Sequence, residues 1–415
     1  MGRPGAESVA PMLYRFAGRC PANIRPMQAT PGINKLVLLG AGHAHVYVLA
    51  QLAQNRPANL DVTVVSPYPF QTYSGMTPGL VAGHYTEAEC QIPLEPLVRA
   101  AGARWLPARC IGVAAEANTV NLAASSHASD PAAVPETLPY DLLSIDTGAV
   151  LDRARLAHDI PGAPENALIV RPIEVFARLW PQVLALAQAR PLSVAVIGAG
   201  AAGLELLFAA EQQLPDAGYP AHFTLVTGGP EVAASYPDGV RRRVLRQLEQ
   251  REITVLREAC VGIELGALQL AGGARLTCDV PILAIGTHAP PWLQGSGLAL
   301  SDSGHVLVNA CQQSTSHPNV FAAGDAATRA DRPHPKSGVY AVRAGPPLTR
   351  NLLAAHTGQP LTPHHPPKRT LNLLSCGVGH AIGSYGPLSW EGAWVWRWKD
   401  RIDRAFVKKY TLPET

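Results

Sequence analysis

The chain has 415 residues, 47% of them hydrophobic and only 16% charged, enough apolar material for two or three domains with cores of their own. Its 34 Lys and Arg nearly balance 31 Asp and Glu, so bulk charge gives no reason to expect nucleic acid or an acidic polymer as partner. No apolar run reaches the roughly 18 residues that span a bilayer. The seven cysteines show neither C-x-x-C nor a zinc-ligand spacing, and read as reduced thiols of a cytoplasmic protein.

Residues 1–33 set Arg3, Arg15, Arg19 and Arg25 against Glu7 and lack the apolar stretch of a secretory signal. They read as a flexible N-terminal extension. Residues 36–47, LVLLGAGHAHVY, run a buried-strand pattern into Gly-Ala-Gly and then His43 and His45. Two histidines two apart do not share a helix face, and no third ligand is evident, so a metal is not expected here. A phosphate loop is the better reading.

The same pattern recurs at 191–210, PLSVAVIGAGAAGLELLFAA. Here Gly198 permits the tight turn, Gly200 lets the backbone approach a pyrophosphate, and Gly203 lets helix pack on strand. Phosphates would then rest on the helix N-terminus, where free N–H groups and the dipole favour negative charge. Each fingerprint is followed by a further strand, DVTVVS (61–66) and HFTLVT (222–227), as a βαβ unit requires. Both strands end without the acid that usually accepts from an adenosine ribose: Ser66 and Thr227 stand there instead. At Thr227 no carboxylate would repel a 2′-phosphate, and Arg241, Arg242 and Arg243 follow, so NADPH as well as NADH is open.

Residues 318–327, PNVFAAGDAA, form a short apolar strand ending in Gly-Asp before an expected helix. Asp325 there could accept from a ligand hydroxyl or simply cap that helix. Residues 390–410, WEGAWVWRWKDRIDRAFVKKY, space Trp394, Trp398, Ile402 and Phe406 at helical intervals among six cations. Such a stretch is either an interfacial membrane helix or a helix docked through its tryptophans. The acids of KDRID count against the membrane.

With these motifs in place, the chain resembles the two-dinucleotide flavoproteins of the pyridine nucleotide-disulfide oxidoreductase superfamily, of the type II NADH dehydrogenase kind. The stretches YSGMTPGLVAGHY, YDLLSIDTGA, PHPKSGVYAVRAGPPLTRNL and WVWRWKDRIDRAF are similar to the NADH-dehydrogenase-like flavoprotein found fused to selenophosphate synthetase. The resemblance implies an α/β fold of two Rossmann-like three-layer dinucleotide-binding domains, the NAD(P) domain inserted in the FAD domain. The expected boundaries are an FAD-binding domain at 34–165 and 289–370, an NAD(P)-binding domain at 166–288, and a C-terminal cap or membrane-interface segment at 371–415. Proline-rich connectors are expected at 159–173 and 359–368, and a surface loop at 123–138.

The resemblance also implies FAD on Gly40, Gly42 and Asp325, with His43 touching phosphate or flavin. His45 holds the third-glycine place, where its bulk should loosen helix-strand packing slightly. Pro67, Cys110, Thr147, Gly148, Gly286 and Gly324 join Ser66 and Thr227 among the cofactor-binding residues. Glu205 is placed near the nicotinamide, Lys336 near the flavin ring, and Gly345 at the start of a helix whose N-terminus faces the flavin; Glu205 and Lys336 are the catalytic candidates. The implied activity passes hydride from NAD(P)H to FAD and electrons to a quinone or similar small acceptor. Oxidation of a sulfur or selenium species, and a low-turnover redox sensor, are the alternatives. Peripheral contact with the inner face of a membrane through 390–410 and a homodimer are left open.

Overall fold

The computed structural model describes residues 34–413 apart from 217 and 219; the extension expected at 1–33 lies outside them. Two five-stranded sheets, every strand parallel to its neighbours, organise the chain. The first has the order 320–322, 142–145, 34–39, 60–65, 104–106. The second has 168–169, 280–283, 192–197, 221–226, 254–256. Each fingerprint strand is central, with the next strand in sequence on one side and a returning strand on the other. The strand order reverses at that point, which opens a crevice beyond the carboxyl ends of the two central strands.

Near-continuous burial of Leu36–Leu39 and Val194–Ile197 follows from helices covering both sheet faces. Over the first sheet the helices His43–Gln54 and Gly338–His356 cross closely. A Cβ on Gly345 would come within 2.8 Å of the Tyr47 side chain. The expected helix start at Gly345 is therefore corrected: the helix begins at Gly338, and Gly345 is an interior residue that lets two helices approach.

The two halves also share their crossovers. In chain order, a three-stranded antiparallel sheet (108–114, 119–124, 137–139) lies between strands 104–106 and 142–145 of the first core, and another (260–264, 267–270, 275–277) between strands 254–256 and 280–283 of the second. Each opens with a bulge at Cys-x-Gly, and the Cys110 and Cys260 thiols each donate to a glycine carbonyl, Gly112 or Gly262, at 3.4 Å. Most of the loop expected at 123–138 joins two strands of the first of these sheets.

At the third-glycine position His45 does the reverse of loosening. It is fully buried, its Nδ1–H donates to the Gly40 carbonyl at 2.6 Å, and its Nε2 accepts from the Ser144 hydroxyl at 2.8 Å. Burial lowers its pKa to about 4, against the pull of the Gly40 hydrogen bond, so the ring is a neutral bridge between loop, helix and neighbouring strand. His45→Ala should cost about 2–4 kcal/mol, from the cavity and the stranded Ser144 hydroxyl. Urea denaturation checks this; a change under about 1 kcal/mol would mean that the bridge does not hold the loop.

Candidate active site

At the crevice of the first sheet lies a cavity of about 790 Å³. Its wall includes Gly40, Gly42, His43, Ser66, Pro67, Cys110, Thr147, Gly148 and Asp325, together with Arg171 and Gly338. Nine residues singled out in the sequence thus meet on one surface. Gly148, at φ +72°, has open space where a Cβ would point, leaving room for a ligand against the backbone. His43 adds an Nε2 that is shielded from water and has no partner. Burial, and secondarily the charge of Arg171, lower its pKa to about 4. Its ring lies 5.4 Å from Tyr73 and 5.7 Å from Phe406.

The glycine roles differ between the loops. At Gly40 and Gly42 an added Cβ would lie 2.5 Å from atoms of Asp146, so these glycines serve contact with the neighbouring strand end. Gly200 faces open space, as do Gly228, Gly229 and Gly286 around the second crevice, whereas a Cβ on Gly203 would collide with the Gly198 carbonyl. Gly203 thus has the packing role read for it. Thr227 closes its own turn, its hydroxyl donating to the Gly229 carbonyl.

Asp325 lies in a single 3-10 turn, Gly324–Ala326, with no helix running on from it and no side-chain cap. Its carboxylate is 3.8 Å from the Arg171 guanidinium. Ser66 is buried and donates to the Tyr68 carbonyl at 3.1 Å. Burial pushes the Cys110 thiol up to about 12, which leaves it a wall residue and not a nucleophile. Lys336 is not on the cavity wall: its ammonium donates to the Ala327 carbonyl and, at 3.0 Å, to the Thr328 hydroxyl. Burial lowers its pKa to about 8, with Asp325 opposing.

Glu205 is placed by its helix, Ala201–Asp216, against the Ser375 amide, which donates to it at 2.8 Å. Burial raises its pKa, opposed by the charge of Lys399. Lys399 comes from the C-terminal helix, Ala393–Tyr410, and was not singled out in the sequence. Its ammonium donates to Asp403 at 2.6 Å and to the Gly75 carbonyl at 2.7 Å. Burial works against that charge, but Asp403 and Glu205 together hold its pKa above the ordinary lysine value.

Outward, the same helix presents Trp394, Arg397, Trp398, Arg401 and Ile402, all exposed. Trp390, Trp394 and Trp398 form a stacked ladder at 6.4 and 6.3 Å. The reading with tryptophans as a docking face is overturned, since Val395, Asp403, Val407 and Tyr410 are the buried positions. Both acids of KDRID are engaged inside: Asp400 with His84, Tyr85 and Arg404, and Asp403 with Lys399. Among the described helices none is long and apolar enough to cross a membrane.

The arginine run is likewise resolved. Arg241 pairs with Glu231 at 3.0 Å and Arg243 with Glu391 at 3.1 Å, while Arg242 is exposed. Arg241, through Glu231, is held beside the turn that follows Thr227.

The cyanobacterial demethylphylloquinone reductase NdbB of Synechocystis is 26% identical over 238 residues, 55% of this chain. The chain spans 57% of the length of that curated relative. In structure, the sulfide:quinone oxidoreductase of Aquifex aeolicus aligns with a TM-score of 0.75 at 18% identity, over 91% of both chains. NDH2 from Plasmodium falciparum, solved in complex with NADH, aligns with 0.74 at 16% identity, over 92% of this chain and 99% of the other. These two show a shared fold. Residues 34–345 match the family described as pyridine nucleotide-disulphide oxidoreductase, and the chain belongs to that family.

Proposed function

We propose that the protein is an FAD-dependent NAD(P)H dehydrogenase that passes electrons to a quinone at a membrane surface. The carrying observation is the pair of crevices, each at a strand-order reversal and each bordered by a glycine fingerprint. In this reading 34–165 with 289–370 is the FAD domain, 166–288 the NAD(P) domain, and 371–415 the segment that meets the acceptor. FAD, when bound, supplies the hydride acceptor and the electron relay. The cavity fits it: the open face of Gly148, the unpartnered Nε2 of His43 and the Asp325 carboxylate offer backbone room, a neutral ring and an acceptor for hydroxyls. Gly40, Gly42, Ser66, Thr147, Gly148 and Asp325 would hold it, and Gly200, Thr227 and Gly286 would border the nucleotide.

The overall conversion, NAD(P)H plus quinone plus one proton to NAD(P)⁺ plus quinol, draws its proton from solvent. Glu205 and Lys399 offer proton-holding groups between the nucleotide half and the C-terminal helix. Gly338, on the cavity wall, takes the helix-terminus role first given to Gly345, adding a positive dipole end. Lys336 acts at one remove, through the loop that carries Asp325. The outward Trp-Arg face favours a membrane-borne acceptor, since apolar rings sit at the headgroup boundary while cations meet anionic lipid. The name of the relative NdbB supports a quinone.

Two predictions follow from this geometry. Purified protein should be yellow, and anaerobic NADH or NADPH should bleach it, with quinone restoring the colour. Bleaching by sulfide or selenide alone would move the function to sulfur or selenium oxidation and renew the likeness to the flavoprotein fused to selenophosphate synthetase. Gly200→Val should keep FAD and the fold but weaken NAD(P)H binding at least tenfold; equal loss of flavin would contradict the assignment of the second crevice.

For the membrane, Trp394→Ser with Trp398→Ser removes exposed rings and should leave flavin content intact. Flotation with anionic vesicles should fall about tenfold or more, given roughly 1.5 kcal/mol or more per buried aromatic, and salt should weaken the wild type. Intact protein that never floats would sink the membrane part of this reading.

A further inference from the structure

The first fingerprint carries an acid that the dehydrogenase reading does not use. Asp146 directly follows the strand Leu142–Ile145, just before Thr147 and Gly148 on the cavity wall. It is 3% exposed, and its Oδ2 accepts from the amides of Ala44 at 2.8 Å and His45 at 3.0 Å. Those amides belong to the first turn of the helix His43–Gln54, where N–H groups lack partners within the helix. The other oxygen faces Gly324, where a Cβ would come within 2.7 Å of it. A carboxyl of the chain thus already occupies the helix end at which a dinucleotide's diphosphate is expected.

We propose that Asp146 is a positioning residue for FAD: it fills the acceptor place at that first turn as an uncharged carboxylic acid, and the diphosphate is accommodated beside it only in that form. The proposal rests on the FAD reading above. Around the carboxyl, Asp325 adds a like charge from the Gly324–Ala326 turn, and Arg171, 3.8 Å from Asp325, offsets it. His43 and His45, on the helix itself, are both held neutral by burial. Lys336 interacts with Asp325 from the loop before Gly338, and Arg109 and Glu174 line the cavity wall. An ionised Asp146 would bring a further negative charge, out of contact with water, against a doubly charged diphosphate.

Burial raises the Asp146 pKa to about 8, against its two amide hydrogen bonds and with Asp325 adding to the rise. A bound diphosphate must raise it further. FAD therefore prefers the protonated protein: affinity is complete below about pH 8 and falls about tenfold per pH unit above it, until the pKa of the loaded form is reached. Lys336 loses its charge over the same window and in the same direction, so the test has to separate the two.

Holoprotein is dialysed at fixed ionic strength between about pH 6.5 and 9.5 and the released flavin read by fluorescence, for wild type, Asp146→Asn and Lys336→Gln. Asn keeps an acceptor oxygen for the Ala44 and His45 amides and cannot ionise. Wild type and K336Q should lose FAD affinity about 15-fold between pH 8 and 9.5. D146N should change less than about threefold and hold FAD at least about tenfold tighter than wild type at pH 9.5. The proposal is overturned if D146N keeps the wild-type step, if K336Q alone abolishes it, or if D146N loses FAD equally at every pH. Should D146N not fold, K336Q protein stripped and reloaded with FAD in weak buffer near pH 8.5 should take up about three-quarters of a proton per flavin; no uptake overturns the proposal. Flavin bound tightly with a flat profile in wild type defeats the Asp146 role alone, whereas a wild type that never binds FAD defeats the flavoprotein reading with it.

Discussion

The first half of the molecule depends on one close approach, between the backbone of Gly40–Gly42 and Asp146. The central strand must end, turn and start a helix directly over the end of its neighbour, and side chains at either glycine would strike Asp146 at 2.5 Å. Gly40 also takes φ +90°, a conformation that a residue with a Cβ adopts only under strain. Because the approach is that tight, Asp146 reaches the helix amides, and the loop and Asp146 together line the cavity.

The second half meets the same constraint with other residues. Gly198, at φ +118°, would strike the Ala284 carbonyl if it had a side chain, and Gly203 would strike Gly198. Helix and strand there touch through backbone alone. In the first half, a neutral imidazole fills the corresponding space and bonds to both sides. A buried polar ring is tolerable because both nitrogens are satisfied, and the ring ties loop, helix and neighbouring strand together. With strand order and the Cys-x-Gly bulge shared by both crossovers, the halves look like two versions of one unit.

What could be read in the sequence follows from how local each reason is. Paired fingerprints, their spacing and the following strands are local, and they correctly indicated two parallel sheets. Gly345 was misread because its partner, Tyr47, lies almost three hundred residues away and only the helix crossing brings them together. Asp146 was passed over inside YDLLSIDTGA because an acid closing an apolar strand shows its purpose only beside the amides of Ala44 and His45. The hint was there: a carboxylate in a buried strand needs donors, and the nearest spare donors are those of a helix start. Lys336 was placed near the flavin ring by the resemblance alone, and two oxygen acceptors at 327 and 328 hold its ammonium.

The C-terminal helix shows why periodicity alone misassigns faces. Tryptophans at helical spacing suggest the core side, and charged residues the solvent side. Here Lys399 and Asp403 stand one turn apart on the inner face and neutralise each other at 2.6 Å, with the Gly75 carbonyl taking another ammonium hydrogen. Burying such a pair stabilises little by itself, since desolvation cancels most of the attraction; Val395, Val407 and Tyr410 supply the apolar contact that docks the helix. With its inner side filled, the helix has its aromatic ladder and two arginines left for the outside. Adjacent residues on this one helix thus serve a surface and a buried site in turn: Trp398 points out, and Lys399 reaches the carbonyl of Gly75 and the field of Glu205. The helix that carries the exposed tryptophans is therefore also the element that sets the charge beside Glu205.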